Sequence, residues 1–133
     1  MTTRFVTDTH PIVWLAAARR KLGRRAARAF AAYEAGEATL FVPAPVVLET
    51  WFLRKNGRIR ERSSLGSWWT VIASPSLAFE PMTGEDVVEA ERLDWAHDDV
   101  FDRLIVACAR RLGLPLITAD AAITDSDLVE VIW

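Results

Sequence analysis

The sequence predicts an α/β protein, a three-layer α/β/α sandwich built around a mostly parallel sheet of about five strands. Short apolar runs alternate with helical segments along the 133 residues, a pattern that favours parallel strands joined by helices. Apolar residues make up 51% of the chain and charged residues 26%, which is typical of a folded globular protein. Because this is a one-domain length, we expect residues 1–133 to form a single domain.

The first half of the chain predicts two strands and three helices. The strands cover residues 4–7 and 39–42, which are short runs rich in β-branched and aromatic side chains. Helices are predicted over residues 11–17, 22–35 and 43–55. Prolines open the first and third helices, Asp8 and Thr9 are available as caps of the first, and Gly36 ends the second.

The second half continues the alternation. Helices are predicted over residues 63–73, from residues 83–86 onward, and over residues 99–112. Thr83 is a good N-cap for the second of these helices, and Gly113 stops the third. Strands are predicted over residues 78–81, 114–118 and 128–133. In such a sheet with right-handed crossovers, functional residues are expected beyond the carboxyl ends of the strands.

The composition excludes several classes of protein. Cys108 is the only cysteine, so a disulfide framework and a thiolate-rich zinc or iron–sulfur site are excluded, and we expect Cys108 to lie in the core. No apolar run approaches the roughly 18–20 residues of a membrane span. The first residues contain no apolar region of a signal peptide. We therefore expect a cytoplasmic protein without a membrane partner.

The net charge of −2 hides an asymmetry along the chain. Residues 1–66 carry 12 lysines and arginines against 5 acidic residues, whereas residues 67–133 carry 4 against 13. A basic half attracts polyanions or acidic partners. Its densest part, residues 19–28, predicts either a phosphate-binding surface or the solvated face of an amphipathic helix.

Carboxylates stand at positions where packing alone favours other residues. Asp8 and Asp120 each follow a predicted strand, so both belong to the carboxyl edge of the sheet. Glu49 lies within an apolar stretch, and Asp99 and Asp102 lie at the start of a predicted helix. Taken singly, each has a structural interpretation as a helix cap, a turn residue or an ion-pair partner. Together they predict one pocket of converging carboxylates.

Like charges gathered in one pocket require a counter-charge. No lysine stands beside these positions, so the natural counter-charge is a divalent cation with oxygen ligands, Mg²⁺ or Mn²⁺. Such ions commonly assist phosphoryl chemistry. The residues by themselves therefore predict metal-assisted chemistry at a phosphate group and leave the substrate open.

Four motifs and a closing strand resemble those of PIN-domain proteins, in the same order and spacing along nearly the whole chain. They lie at residues 5–14, 46–49, 97–104, 114–120 and 129–133. Two positions depart from the family pattern: Val46 stands where many members have serine, and Val100 stands where proline is usual. Neither departure removes a carboxylate, so we expect an effect on positioning only.

The resemblance implies a small Mg²⁺- or Mn²⁺-dependent endoribonuclease of the VapC type, the toxin of a bacterial toxin–antitoxin pair. It implies that the catalytic quartet, which would hold one or two ions, is Asp8, Glu49, Asp102 and Asp120. Asp99 matches a further acidic position that would join the metal site through water. The implied partners are an RNA substrate and a cognate antitoxin protein, with a homodimer that forms a heterotetramer or a larger assembly with the antitoxin.

Some residues outside the quartet are candidates for contacts with the substrate. Arg24 and Arg28 belong to the basic segment and are expected to bind RNA phosphates. Arg103 is expected to contact the substrate, to orient the neighbouring acid, or simply to form an ion pair. Thr118 matches a position near the metal and is a further candidate substrate contact.

Histidines and tryptophans are expected mainly to support the structure. His10 and His97 suit proton transfer by residue type, but supporting roles are favoured because neither has a second ligand at metal spacing. The six tryptophans are expected in the core or at a dimer interface rather than as platforms for base stacking.

Alternative functions differ in the residues they require. A phosphatase with an aspartyl nucleophile needs a second aspartate two residues after the first, where His10 stands. A phospho-receiver domain needs a lysine late in the chain, whereas the last lysine is Lys55. A catalytically inert PIN-like scaffold that binds a protein, and a nuclease that acts on DNA, stay open as alternatives.

Overall fold

A computed structural model describes residues 3–59 and 65–133 of the chain. The strands β1 to β5 are Thr3–Thr7, Ala38–Pro43, Leu77–Glu80, Leu116–Ile117 and Val131–Ile132. The helices α1 to α7 are Thr9–Ala17, Arg24–Glu34, Ala44–Lys55, Leu65–Ile72, Gly84–Arg92, Val100–Leu112 and Ala121–Ser126. A 3₁₀ turn, Arg19–Lys21, precedes α2.

The five strands form one sheet in the order β3-β2-β1-β4-β5, and every neighbouring pair is parallel. The predicted fold class is therefore confirmed. Consecutive residues of a strand point to opposite faces of the sheet. Phe5 and Val6 in β1 are both buried, so helices cover both faces of the sheet and the molecule has three layers.

A single large core fills the space between the sheet and its helices. Its fully buried side chains come from strands β1, β2 and β4 and from the inner faces of helices α1, α2, α3, α6 and α7. The inner stripe of α2 is Ala26, Phe30 and Tyr33, spaced as an amphipathic helix requires. Burying each large apolar side chain contributes about 1.5–3 kcal/mol before the entropy of ordering is counted.

The helix ends agree with the predicted signals. Thr83 caps α5 through a reciprocal pair of hydrogen bonds with Asp86, the arrangement known as a capping box. Gly113 ends α6 with a φ of 67°, in the left-handed region that glycine adopts without strain. Cys108 is buried on the inner side of α6, as expected.

The structure differs from the predicted elements in four places. The second helix begins at Arg24 rather than at residue 22, because the Arg19–Lys21 turn and Gly23 precede it. The last two strands are two residues long each. Helix α7 was missed, although Asp120 before Ala121 is an N-cap signal. The first two residues of the predicted helix 63–73 lie outside the described residues, and α4 covers Leu65–Ile72.

Among the described residues, no helix is both long enough and apolar enough to cross a membrane.

Candidate functional site

The strand order determines where a site forms. From the central strand β1, the chain moves to β2 on one side and to β4 on the other, so the order of strands reverses between β1 and β4. Ligands of open parallel sheets bind beyond the carboxyl ends of the strands at such a reversal. Asp8 follows β1 and Thr118 follows β4, so both flank this position.

Thr118 joins the two aspartates that follow these strands. Its hydroxyl donates to Asp8 Oδ2 at 2.7 Å and accepts the backbone N–H of Asp120 at 3.0 Å. Register explains the contact, because Thr7 pairs with Ile117 and the next residue of each strand comes side by side. Asp8 and Thr118 are both buried, so this pairing is shielded from water.

Glu49 approaches the same place from α3. The hydroxyl of Thr9, the first residue of α1, donates to Glu49 Oε1 in a short hydrogen bond. Glu49 is half-buried, and α1 packs against α3. The threonine that follows Asp8 therefore links the carboxylate of α3 to the end of β1.

Asp99 and Asp102 approach from the start of α6. Asp99 Oδ1 accepts the backbone N–H of Asp102 at 2.9 Å and so caps the helix. Asp102 Oδ2 lies 2.7 Å from Nε2 of His97, in the segment before α6. The Asp102 side chain is only 13% exposed, so its carboxylate has one side on His97 and the other toward the pocket.

These carboxylates line one cavity of about 370 Å³. Its lining residues are Asp8, His10, Trp14, Glu49, Asp99, Asp102, Ala119 and Asp120. All five predicted acidic residues are brought together, although they come from four separate parts of the chain. The lining contains no lysine or arginine among the described residues, as the sequence predicts.

Three of the five acidic residues also cap helices, which confirms the structural interpretation of Asp8 as a cap and gives Asp99 and Asp120 capping roles that the sequence did not predict. Asp8 accepts from Thr9 N at the start of α1, Asp99 caps α6, and Asp120 accepts from Ala122 N and Ile123 N at the start of α7. Each helix start carries a partial positive charge, which stabilises nearby carboxylates by about 0.3–1 kcal/mol. The helix starts thereby offset part of the repulsion between the acidic residues.

The pKa values of three acidic residues show that the helix starts do not fully stabilise the charged carboxylates. Burial raises the pKa of Asp8, against the hydrogen bonds from Thr118 and Thr9. Burial likewise raises the pKa of Glu49, and the charge of Asp8 adds to the rise. Burial raises the pKa of Asp102 to about 7, with a smaller contribution from the other acidic residues and an opposing one from His97. The pocket therefore favours either a proton or another positive charge.

The donor set fits a hard divalent cation in chemistry but is not pre-assembled around one. Carboxylate oxygens are the ligands that Mg²⁺ and Mn²⁺ prefer. Within residues 3–59 and 65–133, however, no three Asp, Glu, His or Cys side chains are close enough together to form a ready-made metal site. Binding an ion would therefore require side-chain rotation within the cavity.

Arg103 binds backbone carbonyls, a contact that the sequence did not predict. Its guanidinium donates to five backbone carbonyls of residues 90–97 at 2.7–3.1 Å. All five of its N–H donors are thereby occupied, so none is left to bind an acidic side chain or a substrate phosphate. The expected substrate contact and ion pair are both replaced by a backbone clamp.

Thr118 also departs from its expected role as a substrate contact. Its side chain is fully buried and its hydroxyl is engaged on both sides. It therefore positions Asp8 and Asp120 rather than meeting a ligand itself. Burial of a threonine directly after a strand was not visible in the sequence pattern.

The basic segment lies on the surface beside the cavity. Arg24 and Arg28 are exposed on the outer face of α2, which is indeed an amphipathic helix. Lys21 lies over the ring of Trp14, which lines the cavity, at 5.9 Å from its centroid. Arg19 is engaged in a two-pronged pair with Glu34 at 2.8 and 2.9 Å.

The tryptophans divide between core and surface. Trp68 and Trp69 are buried, as expected, and their rings meet edge to face at 4.8 Å. Trp95 and Trp133 are half-buried against the core. Trp51 is 51% exposed on α3.

In a larger cleft elsewhere, the arginines are already engaged. The cleft measures about 630 Å³ and lies between α5 and α6. Its arginines are engaged: Arg111 with Glu80 and Asp86, Arg92 with Glu89, and Arg110 with the carbonyl of Leu128. Convergence of five carboxylates without lysine or arginine in the described lining, rather than size, therefore identifies the candidate site.

Comparison with known structures shows the same fold in three proteins. VapC20 of Mycobacterium tuberculosis, described as a sarcin-ricin loop cleaving toxin, is 21% identical with a TM-score of 0.70 over 97% of this chain and 99% of that one. VapBC2 of Rickettsia felis, bound to a DNA fragment from its promoter, is 12% identical with a TM-score of 0.68 over 97% of both chains. FitAB bound to a DNA fragment is 13% identical with a TM-score of 0.61 over 96% and 92%.

Comparison with curated protein sequences gives no match. The family model of the PIN domain matches residues 5–127, nearly the whole chain and all five acidic residues of the cavity. The chain therefore belongs to the PIN domain family.

Proposed function

We propose that this protein is a Mg²⁺- or Mn²⁺-dependent endoribonuclease and the toxin of a type II toxin–antitoxin pair. The observation that carries the proposal is the cavity in which Asp8, Glu49, Asp102 and Asp120 converge, with no lysine or arginine among the described residues that line it. Membership of the PIN domain family and the fold shared with the VapC20 toxin support it.

The proposal assigns the metal to the four carboxylates, with Asp99 contributing through water. When bound, a divalent cation supplies the positive charge that assists attack of water on a phosphodiester. The raised pKa values of Asp8, Glu49 and Asp102 support this assignment, because burial disfavours their charged forms and a bound cation would stabilise them.

The protein's own groups orient the carboxylates for this task. Thr118 donates a hydroxyl hydrogen bond to one carboxylate oxygen of Asp8, and Thr9 donates one to a carboxylate oxygen of Glu49. These hydrogen bonds restrict the rotation of both carboxylates. His97 holds one oxygen of Asp102 in the same way. Supporting hydrogen bonds of this kind tune the affinity of a metal site by about 10- to 100-fold.

RNA is proposed as the substrate, with Arg24 and Arg28 binding its phosphates. Both arginines are exposed, carry no ion pair among the described residues, and stand one helical turn apart on the same face of α2. Lys21 over Trp14 links this surface to the cavity. The sarcin-ricin loop target of VapC20 supports a folded nucleic-acid loop as the type of target.

An antitoxin protein and a second copy of this chain are proposed as the partners. An apolar surface supports a protein partner: Leu48, Trp51, Phe52 and Phe79 are 37–54% exposed. Three of these residues border a groove of about 520 Å³ between α3 and the edge strand β3. Apolar side chains gathered in this way commonly mark interfaces between proteins.

Cleavage of RNA by the purified protein, free of antitoxin, tests the proposal. Total RNA is incubated with Mg²⁺, Mn²⁺ or EDTA, and the Asp8→Asn variant is run in parallel. We expect cleavage that requires a divalent ion and is lost in the variant. Wild-type activity in Asp8→Asn would contradict the assignment of the site.

A second comparison separates the two alternatives. DNA and RNA of matched sequence are offered under the same conditions, and faster cleavage of the DNA would favour a DNA nuclease. Mn²⁺ is also added during thermal unfolding, because a ligand that binds only the folded state raises the melting temperature. Absence of both cleavage and stabilisation would favour an inert protein-binding scaffold.

A further inference from the structure

One arginine holds the segment that leads into α6. The five N–H groups of Arg103 meet five carbonyls: Ala90 at 2.9 Å, Glu91 at 3.1 Å, Leu93 at 2.8 Å, Trp95 at 2.7 Å and His97 at 2.8 Å. A guanidinium has five N–H donors in a fixed plane, so every donor is satisfied. Ordinary surface arginines bind one or two acceptors, as Arg110 on the same helix binds the carbonyl of Leu128.

The first part of this contact caps α5. The last carbonyls of a helix have no partner inside the helix, and a cation near them also suits the helix dipole. Arg103 supplies donors to Ala90 and Glu91, which lie in the last turn of α5. The residue after the helix, Leu93, is bound by the same guanidinium.

The second part reaches the candidate site. Trp95 and His97 are bound through their carbonyls by one nitrogen of Arg103, and their rings lie 4.7 Å apart. The imidazole of His97 then contacts Asp102 Oδ2 at 2.7 Å. Arg103 follows Asp102 in sequence, but its guanidinium is connected to the Asp102 carboxylate through His97.

We propose that Arg103 is a positioning residue: by binding the carbonyls of residues 90–97 it holds His97 against Asp102 and so sets the direction of the Asp102 carboxylate. The consequence for metal binding rests on the proposed function, whereas the consequence for His97 does not. Lysine keeps the charge but offers three donors from a single point and cannot reproduce the planar set. Arg103→Lys therefore removes the set of hydrogen bonds to the carbonyls while keeping the positive charge.

The first test observes His97 directly, without metal or RNA. The chain has two histidines, so the ring ¹⁵N signals of His97 are assigned by comparison with His97→Ala. At one fixed pH, we expect Arg103→Lys to move these signals toward their position in Asp102→Asn. Arg110→Lys, on the same helix and with a single carbonyl contact, is the matched control and should leave them in place. Unchanged His97 signals in folded Arg103→Lys would overturn the proposal.

A double-mutant cycle separates positioning from general stabilisation. Arg103→Lys should weaken Mn²⁺ binding about tenfold in the wild-type background. In the His97→Ala background the loss should be less than twofold, because the connection from Arg103 through His97 to Asp102 is then already broken. An equal loss in both backgrounds would mean that Arg103 acts on the fold alone. Should the wild-type protein bind no Mn²⁺, the proposed function fails while the His97 signals still decide this inference.

The unsubstituted protein provides a readout if Arg103→Lys does not fold. A guanidinium with five satisfied donors rotates and exchanges slowly, so the Arg103 Nη protons should be resolved and protected from solvent exchange. Exposed Arg58 supplies the internal comparison. Equally fast exchange at both arginines would show that the clamp is absent and would overturn the proposal.

Discussion

Asp8, Asp99 and Asp120 each use one carboxylate oxygen to cap a helix beside the same cavity. Capping by itself does not require a charge, because asparagine and serine cap helices about as well as aspartate. Three aspartates at three caps around one cavity therefore carry more charge than the helices need. This surplus of charge is what favours the proposed metal site over a purely structural role for these residues.

Replacing Asp120 in two ways should separate capping from charge. Asp120→Asn keeps an oxygen for the N–H groups of Ala122 and Ile123, so we expect the free energy of unfolding to stay within about 1 kcal/mol of wild type. Asp120→Ala loses the cap and should be destabilised by about 1 kcal/mol. Both should lose RNA cleavage, which urea unfolding and a cleavage assay would measure. Full cleavage by Asp120→Asn would contradict its assignment to the metal site.

Asp86 should make the stability depend on pH in acid. Burial works to raise the pKa of its carboxyl, but hydrogen bonds from Thr83 and Arg111 and the charge of Arg111 outweigh it, so the pKa is lowered. Ionised Asp86 therefore stabilises the fold at pH values above its ordinary pKa, and this stabilisation is lost as the pH falls through the lowered pKa. Asp86→Asn should lower the free energy of unfolding by about 1.5–3 kcal/mol at pH 7.

The measurement is urea unfolding of wild type and Asp86→Asn from pH 7 to pH 2. The difference in stability should shrink toward zero in strong acid, where both side chains are neutral. A difference that stays constant over this range would contradict the assigned ion pair. Because Asp86 lies outside the cavity, the folded variant should keep the wild-type cleavage rate at 25 °C.

At the scale of elements, the site depends on how short strands are aligned. Strand β4 has only two residues, yet it lies between β1 and β5 and so is held on both sides. Its register with β1 places Thr118 beside Asp8. Helix α7 begins two residues later at Asp120, whose backbone is bound by the same threonine.

Thr118→Val should test this alignment. Valine has nearly the same shape but no hydroxyl, so Asp8 Oδ2 and the Asp120 N–H would lose their partner in a buried place. We expect a destabilisation of about 1–3 kcal/mol and weaker Mn²⁺ binding, and Thr118→Ser should restore part of both. Thermal unfolding with and without Mn²⁺ would measure the change.

Thr50 provides the matched control. It is as buried as Thr118, but its hydroxyl donates to the carbonyl of Val46 within α3, so Thr50→Val leaves no buried donor unpaired. Its stability should change by less than that of Thr118→Val, and Mn²⁺ binding should be unaffected. Equal effects of the two valine substitutions on Mn²⁺ binding would argue against a special role of Thr118.

At the scale of the whole molecule, charge is divided between an acidic cavity and a basic surface. The cavity repels phosphates, whereas exposed Arg24 and Arg28 on α2 attract them. Under the proposed function, a polyanion would be bound mainly outside the cavity, and the reacting phosphate would enter the cavity only together with a divalent cation. This separation explains why the net charge of −2 is compatible with RNA as the proposed ligand.

The salt dependence of RNA binding should report the basic surface. For single-stranded RNA, the logarithm of the binding constant falls with the logarithm of salt concentration by about 0.7 for each phosphate neutralised. In the Asp8→Asn background, the pair Arg24→Gln and Arg28→Gln should reduce the slope by about 1.4. Fluorescence anisotropy of labelled RNA would measure it, with exposed Arg58→Gln as the control. An unchanged slope would place the RNA elsewhere.

Much of this organisation was predictable from local sequence. The α/β class follows from the alternation of apolar runs and helical segments. Asp8 and Asp120 stood out because each follows a predicted strand, and Glu49 stood out because a carboxylate is costly in apolar surroundings. Helix α7 was missed because six residues are too few for a clear periodicity. The family resemblance added the choice of RNA, which the pattern of carboxylates does not contain.

The sequence by itself determined the fold class, most of the elements and several of their caps, because these depend on residues within a few positions of one another. Only the tertiary structure decided which residues meet: Asp8 with Thr118, separated by 110 positions, and Thr9 with Glu49, separated by 40. It also turned Arg103 from an expected substrate contact into a backbone clamp. The physical reason is that strand order and register, which bring distant residues together, are set by packing of the whole chain rather than by any local pattern.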